Sequence, residues 1–257
     1  MFLARSNWPQ IEAYLKRCHG VVVPLGSIEQ HGDQGLIGTD SVCAELVAGK
    51  AADHCKDMLI LPTVSFAPAQ FNLEFPGTLS IRSTTLIQLL TDLVSSLVHQ
   101  GFRKFYFLNG HGANLAPVRS MIHDWYQQRT LSDSHDAVDF RLRSWWDFPG
   151  VDQLRKQFYG DQEGMHVTPS EIAITMTHTS LGEFKPDSKF KPLSRDFLKD
   201  HAADQHQDAC RHRQNFQNGR VGSNPLLATP AQGQQILETA ASEMAGDYSN
   251  FLGMTYD

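Results

Sequence analysis

The stretch "GVVVPLGSIEQHGDQGLIGTD", Gly20 to Asp40, decides how the chain is read. Its first six residues are an apolar, largely β-branched run, the composition of a strand buried on both faces of a parallel sheet. The remaining residues are of opposite character: Glu29, His31, Asp33 and Asp40 stand among glycines and bury little apolar surface. In an open α/β sheet, ligands bind beyond the carboxyl ends of the strands, where such loops converge. The polar stretch is therefore read as a binding element rather than a connection.

The same alternation continues. Apolar runs at Met58 to Phe66, Lys104 to Leu108 and Val138 to Arg143 are the other expected strands. Helical spacing covers Ser41 to His54, Thr84 to His99 and Leu115 to Gln128, and a closing helix is expected from Pro230 with Thr229 as its N-cap. Strands alternating with helices predict βαβ units and a mostly parallel sheet. No repeat or boundary divides residues 1–257, so one domain is expected. The polar segment Gly182 to Arg220, with His201, His206 and His212, reads as a surface excursion or an oligomer contact.

Composition narrows the function. A net charge of -6 and no long basic patch argue against nucleic acid, whose phosphates are met by a basic face. No apolar run reaches the ~18 residues of a membrane span, and the N-terminus has no signal-peptide apolar region. Cys18, Cys43, Cys55 and Cys210 lack close paired spacing, so a reducing cytoplasm is the expected compartment.

Glu29 and His31 lie two apart, and in extended chain their side chains point the same way, as two ligands of one site would. Gly32, Gly35 and Gly38 let the chain turn so that Asp40 rejoins them, although Asp40 would also serve as the N-cap of the helix beginning at Ser41. Carboxylate and imidazole together suit Zn, Mn or Fe. The second polar loop, "NGHGAN" from Asn109 to Asn114, comes after a strand too, which places His111 at the same sheet edge. Asn109 and Asn114 would orient that histidine or cap the next helix. In "GMHVTPSEIAIT", Gly164 to Thr175, Thr168 and Glu171 have capping-box spacing, which accounts for Glu171 structurally. His166, just before the cap, is free to move a proton to a leaving nitrogen.

Taken in order, these segments resemble the creatininase family, the creatinine amidohydrolases. "VPLGSIEQHGDQGLIGTD" is similar to its EQHG motif ending in TD, and "FPGTLS" from Phe75 to its FPGT segment. "NGHGAN" resembles NGHGGN, "MHVTPSEIAIT" its HAGxxETS-like element, and "SNPLLATPAQGQQIL" its terminal GDPxxAT and helix. The resemblance implies a three-layer α/β sandwich with a mostly parallel central sheet, and a site where two divalent ions share a hydroxide to hydrolyse a cyclic or linear amide. It assigns Glu29 and His111 to one ion, His31 to the other and Asp40 to both, with His166 catalytic. The last carboxylate would be Glu171, because the alternative position is Ala113 here. It also implies a homo-oligomer, a hexamer, acting on a small molecule.

The rim departs from that pattern. Asp33 and Gln34 replace a Pro-His, and Asn72 replaces a histidine, so these residues are expected to touch a substrate other than creatinine. Trp145 and Trp146 would form an aromatic wall, although core packing accounts for one of them equally well. Two other functions share these residues: ring-opening of a cyclic ketone by the same ions, and a catalytically silent metal-binding subunit. The latter would have no use for His166.

Overall fold

The apolar runs at residues 20–25 and 104–108 become the two most buried strands of a three-stranded parallel sheet in the computed structural model. That model describes residues 1–132, 137–180 and 208–253 together with Ser194 and Asp196. Strands β1 (Gly20–Leu25), β2 (Lys104–Asn109) and β3 (Asp139–Ser144) lie in that order. Leu25 pairs with Asn109 and Asn109 with Ser144, so all three strands stop on one line. The loops after them consequently leave from the same edge.

Alternate residues feed two cores. Val22, Tyr106 and Leu108 face one side, and Val21, Val23, Phe105 and Phe107 face the other. On the first face pack α2 (Thr39–Ala51), α5 (Pro149–Tyr159), α6 (Pro169–Met176) and the long closing helix α8 (Pro230–Gly253). On the second pack α1 (Trp8–Leu15), α3 (Ser83–His99) and α4 (Leu115–Leu131). This is the three-layer α/β sandwich implied by the resemblance. The short α7 (Ala209–Asn215) carries His212, which is buried against Phe71 and Phe216 rather than displayed on a surface. His201 and His206 lie outside the described residues.

Two sequence expectations shift, and one helix had not been expected. Met58 to Phe66 runs beside β1 but pairs only through isolated bridges at Ile60 and Val64. Pro62 has no N–H for a continuous ladder. The expected Ser41 helix starts at Thr39, so Asp40 stands in its first turn and Gly38 takes the cap position. Helix α1 is not visible as a periodic run, yet Asn7 and Gln10 close a full capping box around its start. Among the described residues no helix is long and apolar enough to cross a membrane.

The loop after β2 presses on the start of α2. A Cβ at Gly110 would sit 2.3 Å from the Asp40 carbonyl oxygen, so only glycine fits there. Gly110→Ala should cost ~1–3 kcal/mol by overpacking. Gly112→Ala, which meets nothing within 4 Å, should stay within ~0.5 kcal/mol of the parent. Urea denaturation of the metal-free protein compares the two; equal midpoints would contradict the packing argument.

Candidate metal centre

Asp40, on the first turn of α2, is the carboxylate on which the site converges. It is 4% exposed, and its two oxygens look in different directions. Oδ1 lies 3.0 Å from His31 Nε2, whereas Oδ2 lies 2.9 Å from His111 Nδ1 and accepts the Ser27 hydroxyl at 2.7 Å. Glu29 Oε1 stands 3.3 Å from His111 Nδ1, and Glu171 Oε1 stands 3.8 Å from His31 Nε2. Two ligand sets result: Glu29, Asp40 and His111, and His31, Asp40 and Glu171, the ligating atoms of each lying within 4.8 Å of one another. A third set of the same kind, Glu29, His31 and His166, overlaps both.

The loops hold the imidazoles in definite states. His31 Nδ1 is 3.1 Å from the Glu29 carbonyl and His111 Nε2 is 2.7 Å from the Pro68 carbonyl. Each outer nitrogen therefore carries a hydrogen, and each inner nitrogen, Nε2 of His31 and Nδ1 of His111, faces the carboxylates: it donates to them while protonated and would offer its lone pair to an ion that took the proton's place. A carbonyl on the far nitrogen is the usual support of a metal-binding histidine. Of the glycines expected to turn the first loop, only Gly32 adopts a left-handed φ, 64°. Gly35 instead permits close approach, since a Cβ there would lie 2.4 Å from His31 Cβ. Asn109 Oδ1 accepts the His111 and Asn114 donors at 3.1 and 3.3 Å, and Asn114 also binds the Gly26 carbonyl. These asparagines brace the loop; Asn114 makes no side-chain cap.

Glu171 closes the capping box read for it and at the same time stands beside the candidate ligands. The capping box is complete, with Thr168 N–H donating to Glu171 Oε1 at 2.6 Å, and the same oxygen faces His31. His166 Nδ1 is 3.5 Å from Glu29 Oε1, and its ring lies 4.6 Å from that of His31. Val167 beside it has φ 57°, a left-handed value that a β-branched residue adopts only under strain of ~1–3 kcal/mol.

Electrostatics define what the cluster wants. Glu29, Asp40 and Glu171 are all buried, and their ion-pair partners among the described residues are histidines. Burial disfavours charge on Asp40, yet His31 and His111 hold it well below the usual carboxylate range. Burial alone would lower His31, but Asp40, then Glu171 and Glu29, push it up to about 10. His111 is likewise raised by Glu29 and Asp40 against its burial. Glu171 is raised to about 7 by burial, with His31 opposing. In the metal-free chain the carboxylates thus draw protons onto both histidines. A divalent ion supplies the same positive charge, so these residues fit a metal centre. His166 differs: burial lowers it to about 4, leaving it neutral near pH 7.

The other candidates lie around this core. Asp33 is mostly exposed, and Arg220 Nη2 reaches Asp33 Oδ1 at 3.1 Å and Gln34 Oε1 at 2.5 Å, tying the two unusual positions to the segment after α7. Asn72 is fully buried against Glu29. Trp145 is 2% exposed inside the core, so packing rather than a pocket wall accounts for it, and Trp146 packs edge-on to it. Sequence reasoning passed over Ser27, Gln30 and Arg220. Only the position of Ser27 and Gln30 inside "GSIEQHG" pointed to them.

The family model of creatininase, described as creatinine amidohydrolase, matches residues 4–246. The chain belongs to the creatininase family. Its relatives include the 3-dehydro-scyllo-inosose hydrolase of Thermotoga maritima, 29% identical over 44% of this chain and 36% of that one. The mycofactocin precursor peptide peptidase of Mycolicibacterium smegmatis is 32% identical over 40% of this chain and 43% of its own. The matched segment thus spans less than half the length of either relative. A solved structure named "Creatininase Mn" superposes with a TM-score of 0.78, covering 98% of this chain and 99% of its own at 20% identity. The fold is therefore that of creatininase.

Because His31 binds its proton more tightly in the folded creatininase-family chain than unfolded, its contribution to stability is full below about pH 6.5 and is lost as pH rises towards 10. The urea midpoint of chelator-treated protein should fall over that interval, and Zn²⁺ or Mn²⁺ should level the curve by replacing the protons. A midpoint that rises from pH 6.5 to 10 in the metal-free protein would contradict the charge assignment.

Proposed function

We propose that this chain is a hydrolase that uses two divalent ions to split a C–N bond of a small cyclic or linear amide. The observation that carries the reading is the two-sided Asp40, whose Oδ1 and Oδ2 face different histidines at 3.0 and 2.9 Å. A carboxylate so placed suits a bridge, with Glu29 and His111 completing one ion's ligands and His31 and Glu171 the other's. When bound, such ions supply an acidified water and a Lewis-acidic grip on the carbonyl.

The chain's own residues supply the proton traffic. Gln30 Oε1 accepts the Gly32 N–H at 2.8 Å, and Gln30 Nε2 then donates to Asn72 Oδ1 at 2.9 Å and the Gly219 carbonyl at 3.0 Å. With those donors engaged, His166 Nε2 donates to the Gln30 carbonyl at 2.9 Å. Its free lone pair is then at Nδ1, on the Glu29 side. Neutral His166 would take a proton there from the attacking water and return it to the departing nitrogen. A silent metal-binding subunit would need none of this.

Membership of an amidohydrolase family and the likeness to a peptidase support the amide reading. Ala113 and the altered rim at Asp33, Gln34 and Asn72 point away from creatinine itself. The likeness to an inosose hydrolase favours a second reading, in which water opens the ring of a cyclic ketone at the same ions.

Elemental analysis of the purified protein should find two ions per chain. Asp40→Ala should lose both, and less than one ion in the parent would sink the proposal. Amine or ammonia release across lactams, formamides and cyclic ureas separates the amide reading from the ketone one, for which only an open-chain acid appears. His166→Ala should keep both ions and lose ~10²–10⁴ in kcat; unchanged turnover would remove His166 from the mechanism.

A further inference from the structure

Asn72 sits on a one-turn 3-10 helix, Gln70–Asn72, just before the Phe75 segment, and none of its surface reaches solvent. Its amide orientation is dictated by backbone groups at the end of a chain of bonds. Gln30 Oε1 is taken by the Gly32 N–H, so Gln30 Nε2 is the donor end, and Asn72 Oδ1 must accept from it at 2.9 Å. Asn72 Nδ2 then donates to Glu29 Oε2 at 3.0 Å. The carboxylate is left with Oε1 alone facing inward, 3.3 Å from His111 Nδ1 and 3.5 Å from His166 Nδ1.

We propose that Asn72 is a positioning residue that holds Glu29 by Oε2 and thereby commits it to a metal ion through Oε1 only. The inference rests on the two-ion reading and reassigns a residue that the sequence placed on the substrate rim. A rim residue needs a polar atom free for substrate, whereas both ends of this amide are engaged inside the protein. A donor to a ligating carboxylate orients it and keeps it ionised, and removing such a group typically weakens metal binding ~10–100-fold. The consequence is selective. Only the ion held by Glu29, Asp40 and His111 depends on Asn72; the ion held by His31, Asp40 and Glu171 does not.

The test is a Zn²⁺ titration of chelator-treated protein against a chromophoric chelator, which resolves the two affinities, with the thermal midpoint of the metal-free protein as the fold control. Asn72→Ala should weaken one ion by ~10–100-fold and leave the other unchanged. Asn72→Asp keeps the size and can still accept from Gln30, but sets a negative charge against Glu29; it should weaken the same ion at least as far, and it carries the test should the alanine variant not fold. Both ions bound as in the parent, or both weakened together, would overturn the inference while leaving the two-ion reading standing. A parent that takes up less than one ion overturns the reading of function and this inference with it.

Discussion

A carboxylate buried at the first turn of a helix, with a histidine on each side of it, is the constraint that organises this molecule. Asp40 cannot be desolvated cheaply unless positive charge lies at both oxygens. His31 and His111 come to it from loops after different strands, and the in-register ends of β1 and β2 bring those loops to one edge. The start of α2 has to approach that edge closely, and Gly110 makes room for it. Sheet register, helix start and loop glycine all serve one pair of contacts.

Much of this was legible in the sequence, for identifiable reasons. Strands buried on both faces must be continuously apolar, so β1 and β2 were readable almost to the residue. Met58 to Phe66 carries the same composition but has Pro62 in its midst, and it runs along β1 without forming a regular ladder. Helices α1 and α5 are short, at 8 and 11 residues; their end signals were the caps, Asn7 with Gln10, and Pro149 with Gly160. Glu29, His31, Asp40 and His111, which the structure gathers at one edge, were readable as a cluster because chemistry-bearing side chains were concentrated at strand ends and a helix start, whereas Glu171, with a complete capping box, was offered as a ligand by the family resemblance alone. The supporting groups were not. Ser27, Gln30 and Arg220 are ordinary polar residues whose meaning depends on partners distant in sequence, such as the Gly219 carbonyl for Gln30 and Asp33 for Arg220.

The elements unlike the family pattern have a common character. Asp33 and Gln34 are joined through Arg220 to the segment whose Val221 N–H bonds the His166 carbonyl. Asn72 belongs to the bond chain that runs from Gln30 to Glu29. The positions unlike the family pattern are thus wired to the residues that surround the carboxylates. Val167, next to His166 in the chain, is the non-glycine residue with a left-handed φ among the described residues.

Glu171 leaves one further consequence. Its Oε1 both closes the start of α6 and faces His31, so the first turn of that helix is built from an atom that also belongs to the buried cluster of candidate ligands. A Cβ at Gly233 of α8 would lie 1.9 Å from the Ala173 carbonyl, which shows how tightly the closing helix is seated on α6. A hydrogen-bonded helix end and a seated helix pair therefore form a continuous mechanical path from the buried carboxylates to the last helix of the chain. The seating of α8 on α6 thus supports the helix start that carries Glu171, and a change confined to that helix contact would act on the cluster from outside it.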